Sequence, residues 1–137
     1  MPDYQPFDEV VVQDQDNGVT IAADDTFVLG PAPFAGRVSS VTYTPEAAST
    51  GDNTNKRTYT LVNKGASGAG TTVMATLDLV TGVDLVAFDE KAATLSVVAN
   101  AINFVAGDIL AWVSTHAASG LVDPGGIVKV KGNRVQG

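Results

Sequence analysis

Between Thr72 and Leu79 the chain alternates without a break. Val73, Ala75, Leu77 and Leu79 fall on one side, and Thr72, Met74, Thr76 and Asp78 on the other. A period of two is the pleat of a half-buried strand, and a helix cannot hold it. Comparable runs recur along the chain: residues 9–13, 18–22, 26–29, 37–44, 57–63, 93–98, 109–115 and 127–131. Turn residues punctuate them. Asp16-Asn17-Gly18, Gly30 to Pro33, Gly65 to Gly70, Thr81-Gly82 and Asp123 to Gly126 each supply glycine, proline or a short polar side chain where the chain must reverse.

Short strands at regular spacing predict an all-β fold, an antiparallel β-sandwich that is jelly-roll-like, with about eight to ten strands. Residues 84–88 read as a further strand or a bulged extension. The alanine-rich stretch from Phe88 to Ala99 leaves room for at most one short helix. Within strands the alternation assigns faces. Tyr59 and Leu61 share one side, as do Leu110 and Trp112, while Val128 and Val130 point inward and Lys129 and Lys131 outward. The strand from Ile109 to Thr115 is apolar on both faces, which suits a central position or contact with a second surface.

The 137 residues fit one domain with one core. Residues 1–16 differ from the rest and read as an N-terminal arm, with residues 17–137 as a single sandwich domain. Two prolines in the first six residues oppose both helix and central strand. An arm of this kind is expected to dock on a neighbouring subunit, with Tyr4, Phe7, Val10 and Val12 as the candidate contacts. Met1 to Asp8 has neither a basic start nor an apolar run, so no secretion signal is expected. No apolar stretch approaches the roughly 20 residues of a membrane helix, and no membrane partner is expected.

Net charge is −7, from 8 basic and 15 acidic side chains, and the basic residues are scattered apart from Lys129, Lys131 and Arg134. Neutralising a phosphate backbone needs clustered cations, so nucleic acid is not the expected partner. The absence of cysteine removes disulfides, thiolate chemistry and zinc–thiolate sites together.

Catalytic constellations are lacking. Asp89 and Glu90 are adjacent, as are Asp24 and Asp25, so on a strand each pair would diverge rather than face one cleft. Ser114 and His116 share a strand face, but no nucleophile elbow surrounds the serine, and Gly65 to Ala69 ends on alanine where that motif needs glycine. Asp14 to Gly18 resembles a calcium loop, yet glycine stands fifth rather than sixth and the twelfth position is Asp25 rather than glutamate. No Gly-Lys-Ser/Thr follows the glycines at 65, 68 and 70, so they form no phosphate loop. Trp112 reads as core packing. As a sugar-stacking platform it would need exposure and a second aromatic, for which Tyr43 and Tyr59 are the candidates. No enzyme activity, cofactor or metal is expected.

An ordered set of segments remains: Pro33 to Val41, Thr54 to Lys64, Phe88 to Lys91, Thr94 to Ser96, Ala106 to Trp112, and Asp123 to Val130. Over residues 30–131 this set resembles the capsid decoration (head-stabilising) proteins of tailed bacteriophages. The resemblance implies a small β-sandwich that binds the capsid exterior as a homotrimer at threefold positions. Its partners would be the major capsid protein and copies of itself. Its location would be the outside of the virion, after assembly in the host cytoplasm. The alternative expectation is a carbohydrate-binding module, one displayed on a virion. A subunit of a fibre or tail tube is a third.

Overall fold

The computed structural model describes residues 3–136, and Met1 and Pro2 of the expected arm lie outside them, as does Gly137. Eleven strands follow one another: β1 (Asp3–Tyr4), β2 (Glu9–Asp16), β3 (Asp25–Pro31), β4 (Gly36–Pro45), β5 (Lys56–Asn63), β6 (Thr72–Asp78), β7 (Lys91–Ala92), β8 (Thr94–Leu95), β9 (Asn103–Phe104), β10 (Ile109–Ala117) and β11 (Gly126–Gln136). There is no helix among the described residues, including the alanine-rich stretch that left room for one. That stretch holds β7 and β8 instead, each two residues long. The expected strand at 18–22 is also missing. Only an isolated bridge from Val19 to Asp123 forms there, and Leu85 is likewise bridged singly to Ser49.

The strands make an antiparallel β-sandwich. One sheet runs β1-β11-β4-β7, with β2 also on β11 and β9 also on β4; the other runs β3-β10-β5-β6-β8. The segment expected as an arm lies along its own sheet: β1 pairs with Val135 and Gln136, and β2 with Gly126 to Gly132. β7 pairs with β4 in one sheet and β8 with β6 in the other. The stretch between Leu85 and Phe104 therefore walls off one side of the sandwich.

The inward faces interleave as the alternation predicts. Tyr59, Leu61, Leu110, Trp112, Val128 and Val130 are all fully buried. Trp112 stacks on Tyr59 at 5.3 Å between ring centroids, and Tyr43 tilts against both, at 4.9 Å from Tyr59 and 5.8 Å from Trp112. Offset and tilted rings of this kind add to the burial energy of large aromatics.

Four bulges break the simple period, one of them on β3, where the register against β10 passes over Leu29. On β6 the register against β5 shifts between Leu61 and Val62, and the extra residue is Met74. Met74 turns inward and is fully buried, while Val73, expected inside, is exposed. On β2 and β4 the register shifts opposite Val130 to Gly132 of β11. An extra residue in one strand lets two neighbours both face the core, as Val11 and Val12 do on β2. On β4 it resets the phase so that Val38 and Val41 both face inward. Gly132 makes room for this, since a Cβ there would stand 2.6 Å from the Arg37 carbonyl oxygen.

Candidate functional site

At one end of the sandwich lies a polar cluster that the alternation does not announce. Arg57 heads the inward row of β5 ahead of Tyr59 and Leu61, and all three are fully buried. A buried guanidinium must spend its donors, and this one does. Its Nε donates to the Leu121 carbonyl (2.7 Å), and Nη1 to the Ala23 carbonyl (2.9 Å) and to Ser114 Oγ (3.1 Å). Nη2 donates to the carbonyls of Thr20 and Ile21, at 3.2 Å each. The 20–23 loop is thereby tied to the sheet by one side chain. Gly120 permits the close approach, for it has φ +75° and a Cβ there would stand 2.0 Å from the Ile21 carbonyl oxygen.

Ser114 pairs in register with Tyr59, so the two hydroxyls project to the same place. Both reach Asp123, just before β11. Asp123 Oδ1 accepts from Tyr43 (2.7 Å), Tyr59 (2.9 Å) and the Gly125 N–H (3.2 Å), and Oδ2 accepts from Ser114 (3.1 Å). A second carboxyl, Asp16 at the end of β2, is fully buried beside this segment: Asp16 pairs in register with Gly126, and Val19 bridges to Asp123. Its Oδ1 accepts the Gly18 N–H at 2.7 Å. Burial, and then the Asp123 carboxyl, push Asp16 far above the usual carboxylate range, to about 8. Burial also raises both phenols, Tyr43 and Tyr59, above their ordinary value.

This placement decides several expectations. Ser114 is sealed from solvent between Arg57 and Asp123, so it has no access to a substrate. His116 lies at the edge and its Nδ1 meets Asp24 Oδ1 at 2.6 Å. Hydrogen bonds from His116 lower the Asp24 carboxyl. Glu90 accepts from Thr42 Oγ1 at 3.1 Å and faces Lys129 at 3.3 Å; the Thr42 bond is the larger cause of its lowered value. Asp14 stays exposed and caps its own chain at the Gln15 N–H, while Asp16 turns inward, so the calcium-like segment does not converge. No three His, Cys, Asp or Glu side chains gather to hold a metal ion among the described residues. Trp112, Tyr43 and Tyr59 are fully buried, which removes the stacking platform on which the carbohydrate reading depended.

Exposed apolar side chains are spread over the surface (Ile21, Val28, Val73, Val122 and Ile127 among them), and five belong to one stretch. Val86, Phe88, Val97, Val98 and Val105 all project from the wall between the sheets or the loop that follows it, with Val97 100 % and Phe88 80 % exposed. Phe88 has φ 61°, a left-handed conformation that bulky residues avoid. Its N–H donates to the Pro45 carbonyl (2.8 Å), and the next N–H, of Asp89, to the Val86 carbonyl (3.1 Å).

Of the four predicted contacts, Tyr4 reaches this region. Its ring lies under the Arg37 guanidinium, 4.2 Å from the centroid. Tyr4 and Arg37 join Val97, Val98, Asn100 and Asn103 around a shallow groove of about 350 Å³. Phe7 and Val10 are exposed on the β2 side, where Asn133 Nδ2 donates to the Phe7 carbonyl at 3.1 Å. Val12 is in the core of its own chain. Neither the Arg57 cluster nor the apolar wall was found from the sequence. Arg57 did carry a signal, since it shares parity with Tyr59 and Leu61. Comparison with protein-family profiles, with curated proteins and with solved structures returns no match to this chain.

Proposed function

We propose that this protein is a non-enzymatic structural component that binds the exterior of a tailed-phage capsid and stabilises it, as a homotrimer at threefold positions. The observation that carries the reading is a division of labour. The clustered polar groups of the Arg57 end are sealed inside, whereas the wall leaves Val86, Phe88, Val97, Val98 and Val105 in water, including the two most exposed large apolar side chains among the described residues. Apolar surface of that kind favours adhesion. The left-handed Phe88 supports the same reading, because strain at an exposed aromatic is kept where the projecting ring has a use. The likeness of residues 30–131 to decoration proteins supplies the shell as the partner. Copies held around one axis multiply a modest contact through effective concentration.

In this reading the wall and the adjoining Tyr4 groove meet the major capsid protein or the next copy. Purified protein is mixed with undecorated capsids. Stoichiometric binding and a raised temperature of capsid disruption are expected. No binding at any salt concentration overturns the proposal. Light scattering on the free protein separates a closed trimer from the open assembly of a fibre or tube subunit.

A further inference from the structure

The Arg57 cluster holds two carboxyl groups and one cation in a site closed to water. The guanidinium touches neither carboxyl. Its donors go to four carbonyls and to Ser114 Oγ, and Ser114 alone relays to Asp123. Every hydrogen bond described at Asp123 arrives from a donor: two phenols, a serine hydroxyl and an N–H. That is the environment of an ionised carboxylate. Asp16 differs. Its Oδ1 accepts one N–H, and its Oδ2 is buried and makes no hydrogen bond, the nearby Tyr43 hydroxyl being given to Asp123 at 2.7 Å. An ionised oxygen left so would bear the full cost of desolvation. A protonated one would donate to Asp123 and satisfy both groups.

We infer that Asp16 and Asp123 form a proton-held latch: one proton between them fastens the end of β2 and the 17–25 loop to the segment before β11, and losing it at alkaline pH releases that end of the sandwich. The latch spans distant parts of the chain. Val19 and Asp123 exchange two backbone hydrogen bonds at 3.1 Å beside it. The groups facing it are Tyr43 from β4, Tyr59 and Arg57 from β5, and Ser114 from β10. Asp24 and His116 lie at its solvent edge.

The sign follows from proton linkage. The folded chain keeps a proton that the unfolded chain has already released, so stability falls as pH rises through that interval. With Asp16 held to about 8, the interval runs from about pH 4 to about pH 8, and one proton changes the unfolding equilibrium about tenfold per pH unit. The lowered carboxyls, Asp24, Asp52, Asp78 and Glu90, act oppositely and only at the acid end. They add stability above the unfolded value and lose it as pH falls further.

Urea unfolding of the wild type and of Asp16→Asn, measured from pH 5 to pH 9, tests the latch. The amide keeps an acceptor and supplies a permanent donor to Asp123. Contributions from Asp24 and His116 are common to both proteins and cancel in the comparison. A wild-type loss of about tenfold per pH unit relative to Asp16→Asn, up to about pH 8, is expected. Parallel curves overturn the inference. Should Asp16→Asn fail to fold, carbon-13 titration of the side-chain carboxyls in the wild type decides. A resonance of Asp16 that stays protonated through pH 6 supports the latch, and a midpoint near 4 overturns it. Hydrogen exchange at the amides of Gly18, Val19 and Asp123, relative to that of Ala93, reads the release itself: it should rise above pH 8 in the wild type.

Discussion

The Arg57 end and the wall from Val86 to Val105 reverse the usual distribution of polarity. One buries charge, and the other leaves apolar side chains in water. The buried charges are answered inside the molecule, donor by donor, and so they fix how distant segments meet. The exposed valines and Phe88 are answered by nothing in their own chain, so the fold does not depend on them. A substitution at the first region should therefore act on stability, and one at the second on association.

The largest effect is expected for Arg57→Ala. It strips the carbonyls of the 20–23 loop of their donor and leaves Asp123 without its relayed cation, a loss of about 3–5 kcal/mol by comparison with other broken buried ion networks. A urea midpoint within experimental error of the wild type would erase the contrast. Gly120→Ala comes next. Its methyl group meets the Ile21 carbonyl in a left-handed conformation, which should cost about 1–3 kcal/mol, measured in the same way.

At the wall the direction changes. Phe88→Gly relieves a strained φ and removes an exposed ring, so stability should rise by about 1 kcal/mol while capsid attachment weakens. A gain in stability with full attachment would separate the strain from adhesion. Val97→Ser should leave stability within about 0.5 kcal/mol and reduce the affinity for capsids or for other copies. It sharpens the comparison by altering the wall without touching the backbone.

Much of the architecture was legible in the residues. β5, β10 and β11 obey the alternation along their whole inward rows, so Leu61, Trp112 and Val130 were placed correctly from their spacing. Sequence failed wherever one strand took an extra residue. Met74 and Val73 exchanged sides because a bulge shifts parity, and nothing local marks the position. Residues 1–16 were read as an arm because of the prolines at positions 2 and 6, with a strand at 9–13, and that strand forms as part of β2 on β11. At the sealed cluster, Arg57 shares the parity of Tyr59. Its partners lie 34 to 64 residues away in sequence, and no spacing rule connects them.

The chain by itself determined an all-β class, most strand spans and the inward rows, because the pleat is a local property and turn residues act where they stand. Tertiary structure alone decided the four bulges, the burial of Arg57, the approach of Asp16 to Asp123 and the wall that carries Phe88 and Val97. Each depends on which distant backbone arrives alongside, and that is settled by packing two sheets together rather than by any one strand.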